Sequence, residues 1–119
     1  MTDPARRLID ERTGRVVGTS VQTASGPWGS FAGLMLKKEL PPGHGLLFRP
    51  ARGIHTHFMR FPIDLILLDK ANRVTKVRNA MVPWRFDFTS AAGVIEMNAG
   101  VAKAMDVRPG DQLQFEETE

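Results

Sequence analysis

One run, Ile63-Asp-Leu-Ile-Leu-Leu68, constrains this chain more than any other. It is too continuously apolar to stand half exposed, so it reads as a central strand buried on both faces. Pro62 precedes it and cannot donate to a ladder, which places a bend or an edge there. Upstream lies Ile54-His-Thr-His-Phe-Met-Arg-Phe61. By the period of two, Ile54, Thr56 and Phe58 face one way and His55, His57, Met59 and Phe61 the other. Neither face is cleanly polar, so this second segment should be covered too. The two segments would meet as a hinge at Phe61-Pro62. Asp69-Lys-Ala-Asn-Arg73 is a turn with Asn72 as its left-handed residue. Residues 73–79 then return as the partner of residues 63–68. Val74 and Val77 lie three apart, which hints at a bulge or an edge.

The rest of the chain supplies shorter elements. Residues 1–13 read as a loose lead-in with at most a short strand at residues 7–10, and residues 14–119 as one mainly β domain. Residues 15–24 are rich in β-branched side chains and form a strand in which Gly18 marks a bulge or a close backbone approach. Phe31, Leu34 and Met35 fall on one face of a short helix after Pro27. Pro41-Pro42-Gly43 ends it. Residues 45–49 make a short strand and residues 50–53 a turn. Residues 82–88 are irregular or short β, and residues 90–93 a loop. Residues 93–98 form a strand with Ile95 and Met97 on one face and Val94 and Glu96 on the other. Val101, Ala104 and Met105 recur at helical spacing, with Asn98 as N-cap. Arg108-Pro-Gly-Asp111 has type II turn chemistry, and residues 112–116 close as a strand with Leu113 and Phe115 inward. The sum is a mainly β (α+β) domain, a compact small barrel or sandwich of about seven or eight short strands with two short helices.

Composition removes several function classes. The chain of 119 residues has no cysteine, hence no disulfide, thiolate nucleophile or cysteine zinc site. No run approaches the roughly 18 apolar residues of a membrane span, and the N-terminus shows no apolar leader core. A cytoplasmic protein is expected, with an exported form left open. The net charge is +3, concentrated in a belt of Arg49, Arg52, Arg60, Lys70, Arg73, Lys76, Arg78 and Arg85. Such a belt can attract nucleic acid. No nucleic-acid motif accompanies it, so a solvated face is the simpler reading and a nucleic-acid partner is not expected.

Few residues could carry chemistry. His55 and His57 project to the same side of a strand, a two-ligand arrangement for a divalent metal that would need a third ligand from His44, Glu96 or Asp64. The pattern is common in strands, and no metal or other cofactor is expected. Asp64 interrupts the apolar run. A buried carboxylate needs donors, from Arg60, Arg78 or the backbone, or its pKa rises. No serine sits in a nucleophile elbow, no glycine loop matches a phosphate cradle, and Glu96 has no second carboxylate at a glycosidase spacing. The candidate pocket is therefore His55, Met59, Arg60, Asp64, Trp84 and Glu96: few polar groups in apolar surroundings, as in binding sites for a small molecule or a protein segment.

These residues also carry a resemblance. Gly33-Leu-Met-Leu36, Leu40-Pro-Pro-Gly-His-Gly-Leu-Leu-Phe48, Ile54 through Asp64, Asp69 through Val74, Val94-Ile-Glu-Met-Asn-Ala-Gly100 and Val107-Arg-Pro-Gly-Asp111 come in the order of the bacterial and archaeal domain-of-unknown-function family 192, which the chain resembles over about residues 16–116. The resemblance implies a compact mainly β domain, exported in some members, and no established reaction. The family's aromatic-Met-basic stretch falls on Phe58-Met59-Arg60, its Asp on Asp64, its Leu-Glu step on Ile95-Glu96 and its Pro-Gly-Asp on residues 109–111. The Ile-His-Thr form puts weight on His55 over His57. Phe61-Pro62 departs from the Asn-Thr of many members, and Asn72 replaces a turn glycine. The expectation is a non-enzymatic ligand- or partner-binding module. The alternatives are a metal-assisted hydrolase or lyase using His55 and His57, and nucleic-acid binding through the basic belt.

Overall fold

The structure, a computed structural model, describes residues 5–23, 40–49, 51–55, 62–81 and 86–117, with backbone alone at 51–55, 81 and 86–90. Nine strands and one short helix run in the order β1 (Arg6–Asp10), β2 (Val16–Thr23), β3 (His44–Phe48), β4 (Ala51–His55), β5 (Ile63–Leu68), β6 (Val74–Met81), β7 (Phe86–Ala91), β8 (Gly93–Asn98), α1 (Val101–Ala104) and β9 (Leu113–Glu117) among the described residues. Seven strands form one sheet in the order β6-β5-β8-β3-β2-β1-β9, and β4 pairs with β7 in a two-stranded ribbon. Only β2 and β3 pair in parallel within the large sheet. The sheet curls until its outer strands approach one another. Arg73 bridges Gln112, and the Val74 N–H donates to Asp111 O at 2.8 Å while the Gly110 N–H donates to Val74 O at 2.7 Å.

The mainly β class is as expected, and every residue of β5 is buried. That run of apolar side chains feeds both faces at once. Ile66 and Leu68 join Leu8, Val17, Val21, Leu47, Ile95, Met97 and Leu113 in one cluster. Ile63, Leu65 and Leu67 join Leu40 and Val94 in another. Full burial of each such side chain contributes about 1.5–3 kcal/mol. The β5–β6 hairpin turns through Asn72 at φ 63°. Asp69 Oδ1 braces it by accepting the Ala71 and Arg73 N–H groups at 2.8 and 2.9 Å. Gly18 serves both expected purposes. The β1–β2 register shifts beside it, and a Cβ there would lie 2.9 Å from Val21 Cγ2.

Other expectations change. The lead-in is not loose throughout, because β1 lies between β2 and β9 and is paired to both. Residues 51–53 belong to β4 and not to a turn. Residues 54 and 55, the described part of the expected 54–61 segment, end that strand and pair with β7 in the ribbon, and residues 56–61 lie outside the described residues. Residues 90 and 91 extend β7. Helix α1 begins after Gly100, and Asn98 clamps Leu40 instead of capping it, accepting from the Leu40 N–H at 2.9 Å and donating to its carbonyl at 2.7 Å. The helix expected near residues 27–38 lies outside the described residues, so a second helix is not confirmed.

Candidate functional site

Asp64 leads strand β5 and is fully buried. Its Oδ1 accepts the Ala80 N–H at 2.7 Å, and its Oδ2 accepts the Gly100 and Ala102 N–H groups, each at 3.0 Å. Ala80 and Gly100 both have left-handed φ, 49° and 96°. A register shift in the β5–β6 pairing and the first turn of α1 thus leave amide groups that the ladder does not use, and one carboxylate gathers them. Such charge-assisted bonds are about twice as strong as neutral ones. The sequence identified the residue and its need for donors, with Arg60, Arg78 or the backbone as sources; the donors are backbone amides from two segments 16 and 36 or more positions downstream.

Glu96 has the opposite environment. It lies opposite Leu65 on β5 and Leu46 on β3, whereas Asp64 lies opposite Met97. Successive residues of a strand point to opposite faces, so Asp64 and Glu96 occupy opposite faces of the sheet and do not form one pocket. Glu96 is only 6% exposed. Its Oε2 is buried without a hydrogen-bond partner among the described residues, and burial pushes the carboxyl up to about 8. At neutral pH the group is therefore held mostly as the uncharged acid, able to donate one hydrogen bond and accept others.

Of the remaining candidates, His55 ends β4 opposite Phe86 of β7. Met59, Arg60 and Trp84, and His57 with them, lie outside the described residues. Among the described residues no group of three His, Asp or Glu is placed to hold a metal. His44 is an exposed residue at the start of β3. The described surface carries open grooves of about 470 Å³ beside Lys70 and Thr75 and about 520 Å³ beside Asn79 and Lys103. Neither touches Asp64 or Glu96.

Sequence reasoning missed a second carboxyl cluster. Asp10 at the end of β1 is fully buried and Asp111 is 4% exposed. Asp10 Oδ1 accepts the Arg12 N–H at 3.0 Å, while Oδ2 is buried without an N–H donor among the described residues. Asp111 accepts Arg12 Nε at 2.7 Å and the Arg108 N–H at 2.9 Å. Burial, and a hydrogen bond to Asp111 that requires a proton, push Asp10 up to about 6. Burial opposes ionisation of Asp111 as well, but Arg12, the Asp10 proton and the Arg108 N–H together hold it at about 2. Two carboxyl groups sharing one proton behave in this way. The residues are about a hundred positions apart, so no local pattern could have announced them.

A half-closed, seven-stranded sheet with a short helix bonded to its strand β5 and a two-stranded ribbon defines a class of small mainly β domain. The DUF192 family model, described as "uncharacterized ACR", matches residues 8–115, and the chain belongs to that family. It is 36% identical to a UPF0127 protein of Thermococcus gammatolerans, over 94% of this chain and 76% of that one, and 32% identical to a UPF0127 protein of Thermococcus kodakarensis, over 94% and 74%. Two crystal structures share the fold. One, from Sinorhizobium meliloti, is described as a candidate transcription regulator. It has a TM-score of 0.76 and 27% identity, with 97% of this chain and 94% of that one covered. The other, a protein of unknown function from Novosphingobium aromaticivorans, has a TM-score of 0.75 and 22% identity, over 92% and 83%.

Proposed function

We propose that this protein is a small ligand-binding module whose site lies on the Glu96 face of the sheet. One observation carries the reading: a carboxyl group buried among Leu46, Leu65 and their neighbours with an oxygen that has no partner among the described residues. Leaving a buried polar atom unsatisfied costs about 1–3 kcal/mol, and a ligand that supplies the missing bond recovers it. The surroundings suit a mainly apolar molecule carrying one carbonyl, hydroxyl or amine. His55, Met59, Arg60 and Trp84 remain candidate contributors to the same site, whereas the backbone bonds of Asp64 assign it to structure. Screening small apolar compounds by thermal shift, on the wild type and on Glu96→Ala and Glu96→Gln, tests the idea. Hits should lose their stabilising effect in Glu96→Ala. Hits equally effective on the wild type and Glu96→Ala would overturn it.

The description of the Sinorhizobium meliloti protein favours a second reading, nucleic-acid binding. The positions of the belt argue against a continuous basic surface. Lys76 and Arg78 lie opposite Leu67 and Leu65 on one face of the sheet. Arg49 lies against Phe115, which packs on the other cluster, and Arg73 is turned to Gly110 O at 2.8 Å. Affinity for duplex DNA that falls steeply with salt would restore this reading.

A further inference from the structure

Most described arginines have an evident partner. Arg7 pairs with Glu116, Arg12 with Asp106 and Asp111, and Arg108 with Asp106. Arg15 and Arg73 donate to main-chain carbonyls, and Arg78 is engaged as well. Arg6 and Arg49 are set apart by sharing one aromatic ring. They come from β1 and from the residue after β3, yet both guanidinium groups lie against the ring of Phe115, 4.5 and 6.0 Å from its centroid.

No carboxylate is within ion-pair distance of either among the described residues. Glu117, opposite Arg6 in the β1–β9 register, is exposed and makes no ion pair with it. The polar contact shown for Arg49 is with Asn72 Oδ1. Burial and the neighbouring charge of Arg6 both push Arg49 down. Gly93 leaves room for the Arg49 side chain, since a Cβ there would lie 3.3 Å from its Cγ and 3.4 Å from its Nη1.

Two like charges held on one ring repel each other, and the attraction of a ring face offsets this only in part. An anion between them would relieve it. One guanidinium fork already satisfies both oxygens of a carboxylate. Two forks from separate strands match a group with more oxygens and more than one negative charge, which a phosphate has near neutral pH.

We propose that Arg6 and Arg49, positioned by Phe115, form a binding site for a phosphate group. Phe115 packs against the cluster that contains Leu8 and Ile66, on the opposite face of the sheet from Glu96, so this site is independent of the one proposed above.

The test is titration of the full chain with inorganic phosphate at constant ionic strength, followed by NMR at the arginine Nε–H and Phe115 ring resonances. A saturable shift at these positions, absent with chloride, is expected. Arg6→Gln and Arg49→Gln should each weaken binding at least tenfold. Lys70→Gln, which removes an exposed charge elsewhere, should not change it, and neither should Glu96→Gln. Arg49→Lys should restore it only in part, because the charge returns without the fork. A parallel titration with a short single-stranded oligonucleotide distinguishes the source. Tighter binding than phosphate, lost in the same two variants, assigns the site to a nucleic-acid backbone, and no gain over phosphate assigns it to a free phosphate or phosphomonoester. Shifts that grow without saturating, that chloride reproduces, or that persist in folded Arg49→Gln would overturn the proposal.

Discussion

Asp10 and Asp111 show how two identical side chains are separated by their surroundings. Asp10 titrates at about 6, above its ordinary 3.8. The folded chain therefore holds a proton that the unfolded chain releases. This contribution to stability is complete below pH 3.8 and is lost as pH rises through 6. Asp111, held at about 2, contributes above pH 3.8 and loses its contribution as pH falls through 2. The pair should stabilise most in weak acid. Asp10→Asn places a permanent donor where the proton sits, so chemical denaturation at pH 7.5 should show it more stable than the wild type by about 1–2 kcal/mol, with the difference vanishing near pH 4. Glu96 adds the same sign of dependence over a higher range, since its folded value of about 8 exceeds the usual 4.5. Stability from this group falls as pH rises from 4.5 through 8, and Glu96→Gln should flatten that part of the profile. For Asp64→Asn, one acceptor oxygen replaces two and an amide is turned toward N–H groups. A loss of about 2–4 kcal/mol is expected in urea unfolding. Of these residues, Asp64 was legible because it interrupts an apolar run, and Glu96 because it shares a strand face with Val94 and falls on the family's Leu-Glu step. Their assignment to opposite faces needed the β5–β8 register, which the sequence does not state.

At the scale of elements, legibility followed the strength of local chemistry. Strand β5, the β5–β6 hairpin and the Arg108–Asp111 turn are as read, because an unbroken apolar run, an Asn in a tight turn and a Pro-Gly pair each leave the backbone few choices. Gly110 has φ 94°, and the Asp111 N–H donates to Arg108 O at 3.0 Å, as a type II turn requires. The start of β4 was missed because Ala51-Arg-Gly53 has turn-like composition, and its strand conformation comes from pairing with β7. Helix α1 stands where the spacing of Val101, Ala104 and Met105 put it, but it is a single turn of four residues. Without capping from its own chain neighbours it depends on Asp64, and loss of the Asp64 carboxylate should appear first as faster amide exchange at Gly100 and Ala102. Asn72 tests the hairpin directly. Asn72→Gly should be neutral within about 0.5 kcal/mol, whereas Asn72→Val should cost about 1–2 kcal/mol in thermal or urea unfolding.

The whole molecule was the least legible level. Its class followed from the number and brevity of the strands. Its strand order did not, since β8 lies between β5 and β3, and β1 between β2 and β9. Patterns along a chain report which face a residue presents and say little about which distant strand it meets. The sheet's two outer strands are also the place where it curls back on itself. Val74 and Gly110 exchange backbone bonds with their surroundings there, and beyond that point β6 is interrupted at left-handed Ala80, whose N–H is turned to Asp64. An unprotected strand margin templates pairing between molecules and leads toward aggregation. Here part of the margin is closed by the chain itself, and Ala80 interrupts the rest. The carboxylate that anchors a helix thus also holds an irregularity of the kind that disfavours β-pairing between molecules along β6.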